Sequence, residues 1–255
     1  MYGKVAFVTG GAGGLGTAIC KAFVKEDATV VVADSDFARA RIVSDEISSG
    51  NGVSLPVEID VKSTDSITYA VDAGVKKFGR IDFLIHCAGN NIAAPSLEMS
   101  MEQWKDGLDT HLTGGFLCCQ AVGRQIVKQG DGGRIVLMSS VAATAPVPER
   151  GAYGPAKAGL VNLAGMLALE WAQYKINVNA ICPGVVMTPM TKMVYKRDPS
   201  LRGPRIKKTP MGREGEPEEI ADLAVFLCSD KSTYINGVSI PIDGAFSLSP
   251  FFHAE

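Results

Sequence analysis

The stretch Val5-Ala6-Phe7-Val8-Thr9-Gly10-Gly11-Ala12-Gly13-Gly14-Leu15-Gly16 decides the fold. Four apolar residues that suit a buried strand run straight into a glycine-rich turn. Thr17 to Lys25 then carries the pattern of a helix. Glycines at such a turn let the backbone approach a pyrophosphate, and the helix N-terminus offers N–H donors and positive potential. A glycine-rich turn alone is a weak signal. Placed between a first strand and a first helix, it marks a dinucleotide site.

The rest of the chain repeats that alternation. Strands are expected at Thr29–Ala33, Gly52–Ile59, Ile81–His86, Arg134–Ser139, Ile176–Ile181 and Val238–Ile242. Helices are expected at Phe37–Ser48, Ser66–Phe78, within Ser100–Gln129, and at Tyr153–Tyr174 and Glu216–Leu227. Strands apolar on both faces belong in a sheet covered by helices on both sides. Regular strand–helix alternation implies a doubly wound parallel sheet with right-handed crossovers, the three-layer Rossmann arrangement. No linker or repeat interrupts the 255 residues, so a single domain over residues 1–255 is expected. The one long irregular region, Met187 to Arg213, suits a substrate lid.

Composition excludes several classes. The chain is 46% hydrophobic and 20% charged with a net charge of −2, so no overall field points to nucleic acid or a membrane. No apolar run reaches the ~20 residues of a membrane span, and the start does not read as a signal peptide. Cys20, Cys87, Cys118, Cys119, Cys182 and Cys228 lack metal-site spacing and sit mostly in apolar segments. They read as reduced, buried thiols of a cytoplasmic protein without a metal.

The second expected strand ends near Asp34. A carboxylate there can accept both hydroxyls of an adenosine ribose and repels a 2′-phosphate. No Lys or Arg lies in the glycine turn or directly after Asp34, which favours NAD over NADP. Asp36 suits the cap of the following helix, and Arg39 and Arg41 read as solvated surface. Tyr153 and Lys157 lie four apart on one helix face. An ammonium beside the phenol is expected to draw its pKa down from ~10, so that Tyr153 can exchange a proton with an alcohol. Ser140 closes the fifth strand, where it can meet the same oxygen.

These residues make the chain resemble the short-chain dehydrogenase/reductase family over essentially its whole length. The TGxxxGxG turn matches at Thr9, Gly10, Gly14 and Gly16, with Leu15 between the last two glycines. Asp60-Val61 matches the pair that borders the adenine, and Ala88-Gly89 the turn after strand four. Ser140, Tyr153 and Lys157 match the catalytic set, and Lys157 is implied to hold cofactor ribose as well. Pro183-Gly184 leads to Val186 and Thr188, which the resemblance places on the nicotinamide carboxamide. It implies NAD-linked interconversion of a secondary alcohol and a ketone, and a homotetramer packed through the helices that hold His111–Gln129 and Tyr153. A 3-oxoacyl-thioester reductase (acyl carrier protein or CoA) and a non-catalytic NAD-binding protein are the other readings. Asp34 speaks against the first, and the intact Ser140, Tyr153 and Lys157 against the second. An enoyl reductase is disfavoured because its family spaces Tyr and Lys more widely.

Three positions depart from the family pattern. His86-Cys87 stands in place of Asn-Asn, His111 in place of an Asn that supports a water behind the Lys, and Ala245 in place of a Gly. An imidazole at His111 can relay protons or pack differently. The lid carries Lys192, Lys196, Arg197, Arg202, Arg205, Lys207, Lys208 and Arg213 against Asp198, a net of about +7. That suits an anionic substrate or solvated lid charges. Asn90, Asn91, Ile92, Val141, Ala142 and Val147–Arg150 are further pocket candidates. Arg150 reads as solvated surface, and the lid methionines Met187, Met190, Met193 and Met211 as lid-to-core packing.

Overall fold

The computed structural model describes residues 1–248; the last seven residues of the expected domain, 249–255, lie outside the described residues. Seven parallel strands form one sheet: β1 (Val5–Thr9), β2 (Thr29–Asp34), β3 (Ser54–Glu58), β4 (Phe83–His86), β5 (Gly133–Met138), β6 (Ile176–Pro183) and β7 (Ser239–Ile242). Their order is β3-β2-β1-β4-β5-β6-β7, so the crossover direction reverses between β1 and β4. Ligands bind such sheets beyond the strand C-termini at that reversal.

The helices are α1 (Gly14–Lys25), α2 (Phe37–Ser49), α3 (Thr64–Phe78), α4 (Met101–Leu108), α5 (Gly114–Gln129), α6 (Tyr153–Trp171), α7 (Pro189–Arg197), α8 (Arg202–Lys207) and α9 (Pro217–Cys228). Each β1 residue is buried, and alternate side chains feed opposite layers. Val5 and Phe7 join a core with Leu84, Leu137 and Leu160, while Ala6 and Val8 join Ile19, Phe23, Ile85 and Ile220. That two-sided burial is why the strands read as continuous apolar runs. No helix among the described residues is long and apolar enough to cross a membrane.

Two sequence expectations need correction. The helix expected within Ser100–Gln129 is broken by a π-turn at Asp109–Thr113, where Gly114 N–H reaches back to the Asp109 carbonyl. One extra residue per turn rotates His111 inward, to 3% exposure. Close packing accompanies it: a Cβ on Gly115 would stand 2.8 Å from Leu160 and 3.3 Å from the His86 ring. The region Met187–Arg213 is also not irregular. Thr188 caps α7, Pro189 opens it, and a 3-10 turn joins it to α8.

Candidate active site

A cleft of about 710 Å³ opens at the topological reversal. It is lined by Gly10, Asp34, Asp60, Val61, Ala88 and Gly89 of the expected cofactor set. Gly10 has φ +65°, and a Cβ there would stand 2.8 Å from Ala88 N. At Gly16 a Cβ would stand 2.0 Å from the Gly10 carbonyl, so the turn closes only with glycine at both places. Ala88 N–H donates to Thr9 Oγ1 at 3.3 Å, tying the turn to the end of β4. Helix α1 has no side-chain cap and no acid in its first turn. Its leading N–H groups are thus left for an anion, which is the fit a pyrophosphate requires.

The adenosine end is more built than the sequence suggests. Asp34 accepts Ala12 N–H at 3.0 Å and Asp36 N–H at 3.1 Å, which fixes its carboxylate at the cleft. Asp36 caps α2, as expected, by accepting from Arg39 N. Arg39 is exposed, as expected, but its guanidinium also donates to the Ala12 carbonyl at 3.0 Å and lines the cleft beside Asp34. The Asp60 carboxylate accepts Lys62 N–H at 2.9 Å. Val61 is buried against the π-turn side, where a Cβ on Gly114 would meet it at 3.0 Å.

The residues of the expected catalytic set come together from two elements, the end of β5 and the start of α6. Ser140 follows β5, is 9% exposed and accepts Ala142 N–H at 3.1 Å. It lies close enough to the Tyr153 phenol to pull that pKa down. Tyr153 opens α6, and Lys157, one turn on, holds its ammonium over the Tyr153 ring at 5.5 Å from the centroid. That ammonium donates to the Met138 carbonyl at 2.7 Å, and burial lowers its pKa to about 8. The expected fall of the Tyr153 pKa is not found. Burial raises it, while Ser140 and the Arg150 charge oppose that rise. The Lys157 charge sits at the ring face and not at the hydroxyl, which is why it does not dominate.

Two of the three departures from the family pattern sit directly behind. His86 Nδ1 bonds Thr9 Oγ1 at 2.9 Å, and His111 meets the Tyr153 ring edge-on, 5.3 Å between centroids. Burial and the Lys157 charge push both imidazole pKa values down to about 3, so both rings are neutral. His86 Nε2 and His111 Nδ1 are buried without a protein partner. Cys87 lines the cleft, and burial pushes its thiol up to about 12.

Other expected residues are placed less directly. Leu15 and Val186 pack into the core. Pro183 ends β6, and a Cβ on Gly184 would stand 2.8 Å from Asp243. Thr188 Oγ1 is occupied as the α7 cap, accepting Thr191 N–H at 3.2 Å. Helix α7 nevertheless crosses the glycine turn, since a Cβ on Gly14 would meet Pro189 at 2.7 Å. Of the lid cations, Arg202 pairs with Glu214 at 3.1 Å, Arg213 with Glu219 at 2.8 Å, and Arg205 stacks on Tyr195. Arg150 is half-buried and donates to Asn91 Oδ1, correcting its surface reading. Lys62, Asp106 and Thr110 line the cleft unpredicted; Asp106 and Thr110 are four apart on a helix, the one signal the sequence offered.

The known proteins that resemble this chain fit that geometry. A family model described as enoyl-(acyl carrier protein) reductase matches residues 10–247. The chain is a short-chain dehydrogenase/reductase. It is 39% identical to D-threitol dehydrogenase of Mycolicibacterium smegmatis, over 96% of this chain and 94% of that one. It is 35% identical to 3beta-hydroxysteroid dehydrogenase 1 of Eggerthella lenta, over 99% and 97%. The crystal structure of a short-chain type dehydrogenase/reductase from Mycobacterium marinum superposes with a TM-score of 0.91 at 32% identity, covering 96% of each chain. The family's Rossmann fold binds a nicotinamide dinucleotide.

Proposed function

We propose that this protein is an NAD-dependent dehydrogenase that interconverts a secondary alcohol and a ketone. The carrying observation is the convergence of Ser140, Tyr153 and Lys157 beside a cleft whose far end presents the Asp34 carboxylate. Gly10, Gly14, Gly16 and the α1 N-terminus would hold the pyrophosphate, Asp34 the adenosine ribose, and Asp60-Val61 the adenine edge. Ala88-Gly89, Pro183-Gly184, Val186 and Thr188 would flank the nicotinamide half. When bound, the cofactor accepts or delivers the hydride. Tyr153 exchanges the proton with the substrate oxygen, Ser140 hydrogen-bonds that oxygen, and Lys157 holds ribose.

Asp34 supports NAD, and Arg39 beside it supports some use of NADP. The relatives are named for threitol and a 3beta-hydroxysteroid, which supports a secondary alcohol as substrate. The exposed lysines of α7 and α8 favour a second reading, an anionic substrate under a lid at about 187–213. The Tyr-x-x-x-Lys spacing supports alcohol–ketone chemistry over enoyl reduction. Phe116, Val127, Met166, Leu169 and Tyr174 leave an apolar strip exposed on α5 and α6 and just beyond, which supports a homotetramer. Six free cysteines support a cytoplasmic location.

A screen of polyols, sterols, hydroxy acids and 3-hydroxyacyl thioesters with NAD and NADP tests this reading. NADH formation should appear with an alcohol and fall at least about 100-fold in Tyr153→Phe. A Tyr153→Phe rate equal to that of the unmodified enzyme overturns the assignment. Unchanged KM on replacing Lys192, Arg202, Arg205 and Lys207 singly by Gln removes the anionic reading.

A further inference from the structure

One cluster beside the reacting residues is left unexplained by cofactor holding. Asp106, on α4, takes the Lys62 ammonium at 2.9 Å on one carboxylate oxygen and Asn90 Nδ2 at 2.7 Å on the other. Asn90 Nδ2 also donates to Thr110 Oγ1 at 3.2 Å. The Asn90 side chain is thereby fixed from two helical positions one turn apart.

The Asn90 peptide in turn grips His111. His111 Nε2 lies 3.0 Å from the Asn90 carbonyl and 3.3 Å from the Asn90 N–H. One nitrogen of a neutral imidazole is either a donor or an acceptor, so these contacts belong to alternative tautomers. The carbonyl contact is the shorter, and a carbonyl accepts from Nε2–H. Nδ1 is then left as a bare acceptor, buried and without a protein partner. The ring has little freedom to turn away, because a Cβ on Gly89 would already stand 2.3 Å from Cε1. Tyr153 lies against its edge, and the titratable neighbours whose charges reach it are Lys157, His86 and Asp106.

We propose that Asp106 and Asn90 are positioning residues: Asp106 orients Asn90, and the Asn90 peptide sets the tautomer and orientation of His111 beside Tyr153. Lys62, at 2.9 Å, keeps the Asp106 carboxylate aimed. The kinetic consequence rests on the dehydrogenase reading; the tautomer does not.

The test uses the full chain labelled with ¹⁵N-histidine. Only His86, His111 and His253 contribute ring signals, and His111→Asn and His86→Gln assign them. At pH 7 His111 should report the Nε2–H tautomer. Asn90→Asp sets two carboxylates against each other across a contact that is now 2.7 Å. It should change the His111 signature and lower kcat about 10-fold with KM for NAD changed less than about twofold. The exchange Asn90→Asp with Asp106→Asn restores an amide facing a carboxylate. It should return the His111 signature and bring kcat to within about threefold of the unmodified enzyme. Asp106→Ala, which removes the anchor without adding charge, should show the same change in weaker form and serves if Asn90→Asp does not fold. An unchanged His111 signature in both Asn90→Asp and Asp106→Ala, or an exchange variant no better than Asn90→Asp alone, overturns the proposal. Absence of turnover with every alcohol defeats the dehydrogenase reading instead, and the tautomer measurement still decides this one.

Discussion

Mild acid should unfold this protein through two histidines. His86 and His111 are 1% and 3% exposed, and burial followed by the Lys157 charge takes both from an ordinary 6.5 down to about 3. Their ring partners are the Thr9 hydroxyl and the Asn90 peptide, neither of which supplies a counter-charge. Below pH 6.5 the unfolded chain takes a proton on each ring and the folded chain does not. Stability is therefore complete above about 6.5 and is lost as pH falls toward 3. Each ring costs about 1.4 kcal/mol for every pH unit in that window, so two rings cost about 4 kcal/mol by pH 5. That approaches the whole stability of a marginal domain, about 5 kcal/mol. Urea unfolding followed by circular dichroism at fixed protein concentration, from pH 7.5 to 5, measures the slope. Two protons should be taken up on unfolding near pH 5.5, above the range where ordinary carboxylates titrate. His111→Asn should remove one of them. A slope below one proton, or one unchanged by His111→Asn, refutes the buried-neutral assignment.

Three further outcomes are expected. Asp82 is 1% exposed and accepts from Lys4 Nζ, Val5 N and both Arg80 Nε and Nη2, so Asp82→Asn should cost about 3–5 kcal/mol by thermal or urea unfolding; a loss below about 1 kcal/mol contradicts it. Gly16→Ala drives a methyl to 2.0 Å from the Gly10 carbonyl, so NADH binding followed by fluorescence should weaken at least about 100-fold in a chain that still folds; an unchanged Kd rules out the glycine turn as the cradle. Asp34→Ser removes the carboxylate that repels a 2′-phosphate and leaves Arg39 at the same edge, so the preference for NAD over NADP should fall at least about 10-fold; a ratio that does not move refutes that role of Asp34.

The sheet and the glycine turn were legible in the chain because their signals are local. Two-sided apolar runs and punctuating glycines survive without knowledge of neighbours. The π-turn was not, since Asp109–Thr113 has nothing in its own residues that separates it from the α-helix on either side. It shows only in the packing of Gly114 and Gly115 against Val61, Leu160 and His86. The lid misled in another way. Pro189, Pro199 and Pro204 lie in the segment read as irregular, yet Pro189 and Pro199 stand in the first turn of a helix or 3-10 turn, where the missing N–H costs nothing. Arg150 was assigned to solvent, and the bond from the exposed Arg39 went unseen, because their partners, the Asn91 side chain and the Ala12 carbonyl, are distant in sequence.

The Tyr153 result shows where charge arithmetic along a sequence stops working. Lys157 at the fourth following position guarantees an ammonium on the same helix face, but the shift depends on where along the ring that charge lies. Here it faces the ring and bonds the Met138 carbonyl, and its own pKa falls to about 8 under burial. The same burial that makes the site water-poor raises the phenol. Desolvation therefore competes with the charge that the i, i+4 pattern promises. What opposes it comes from other elements: Ser140 at the end of β5, and the Arg150 charge from the loop before α6. A helix can place Tyr153 and Lys157 together, but the protonation of Tyr153 is set by the loops that close around its oxygen.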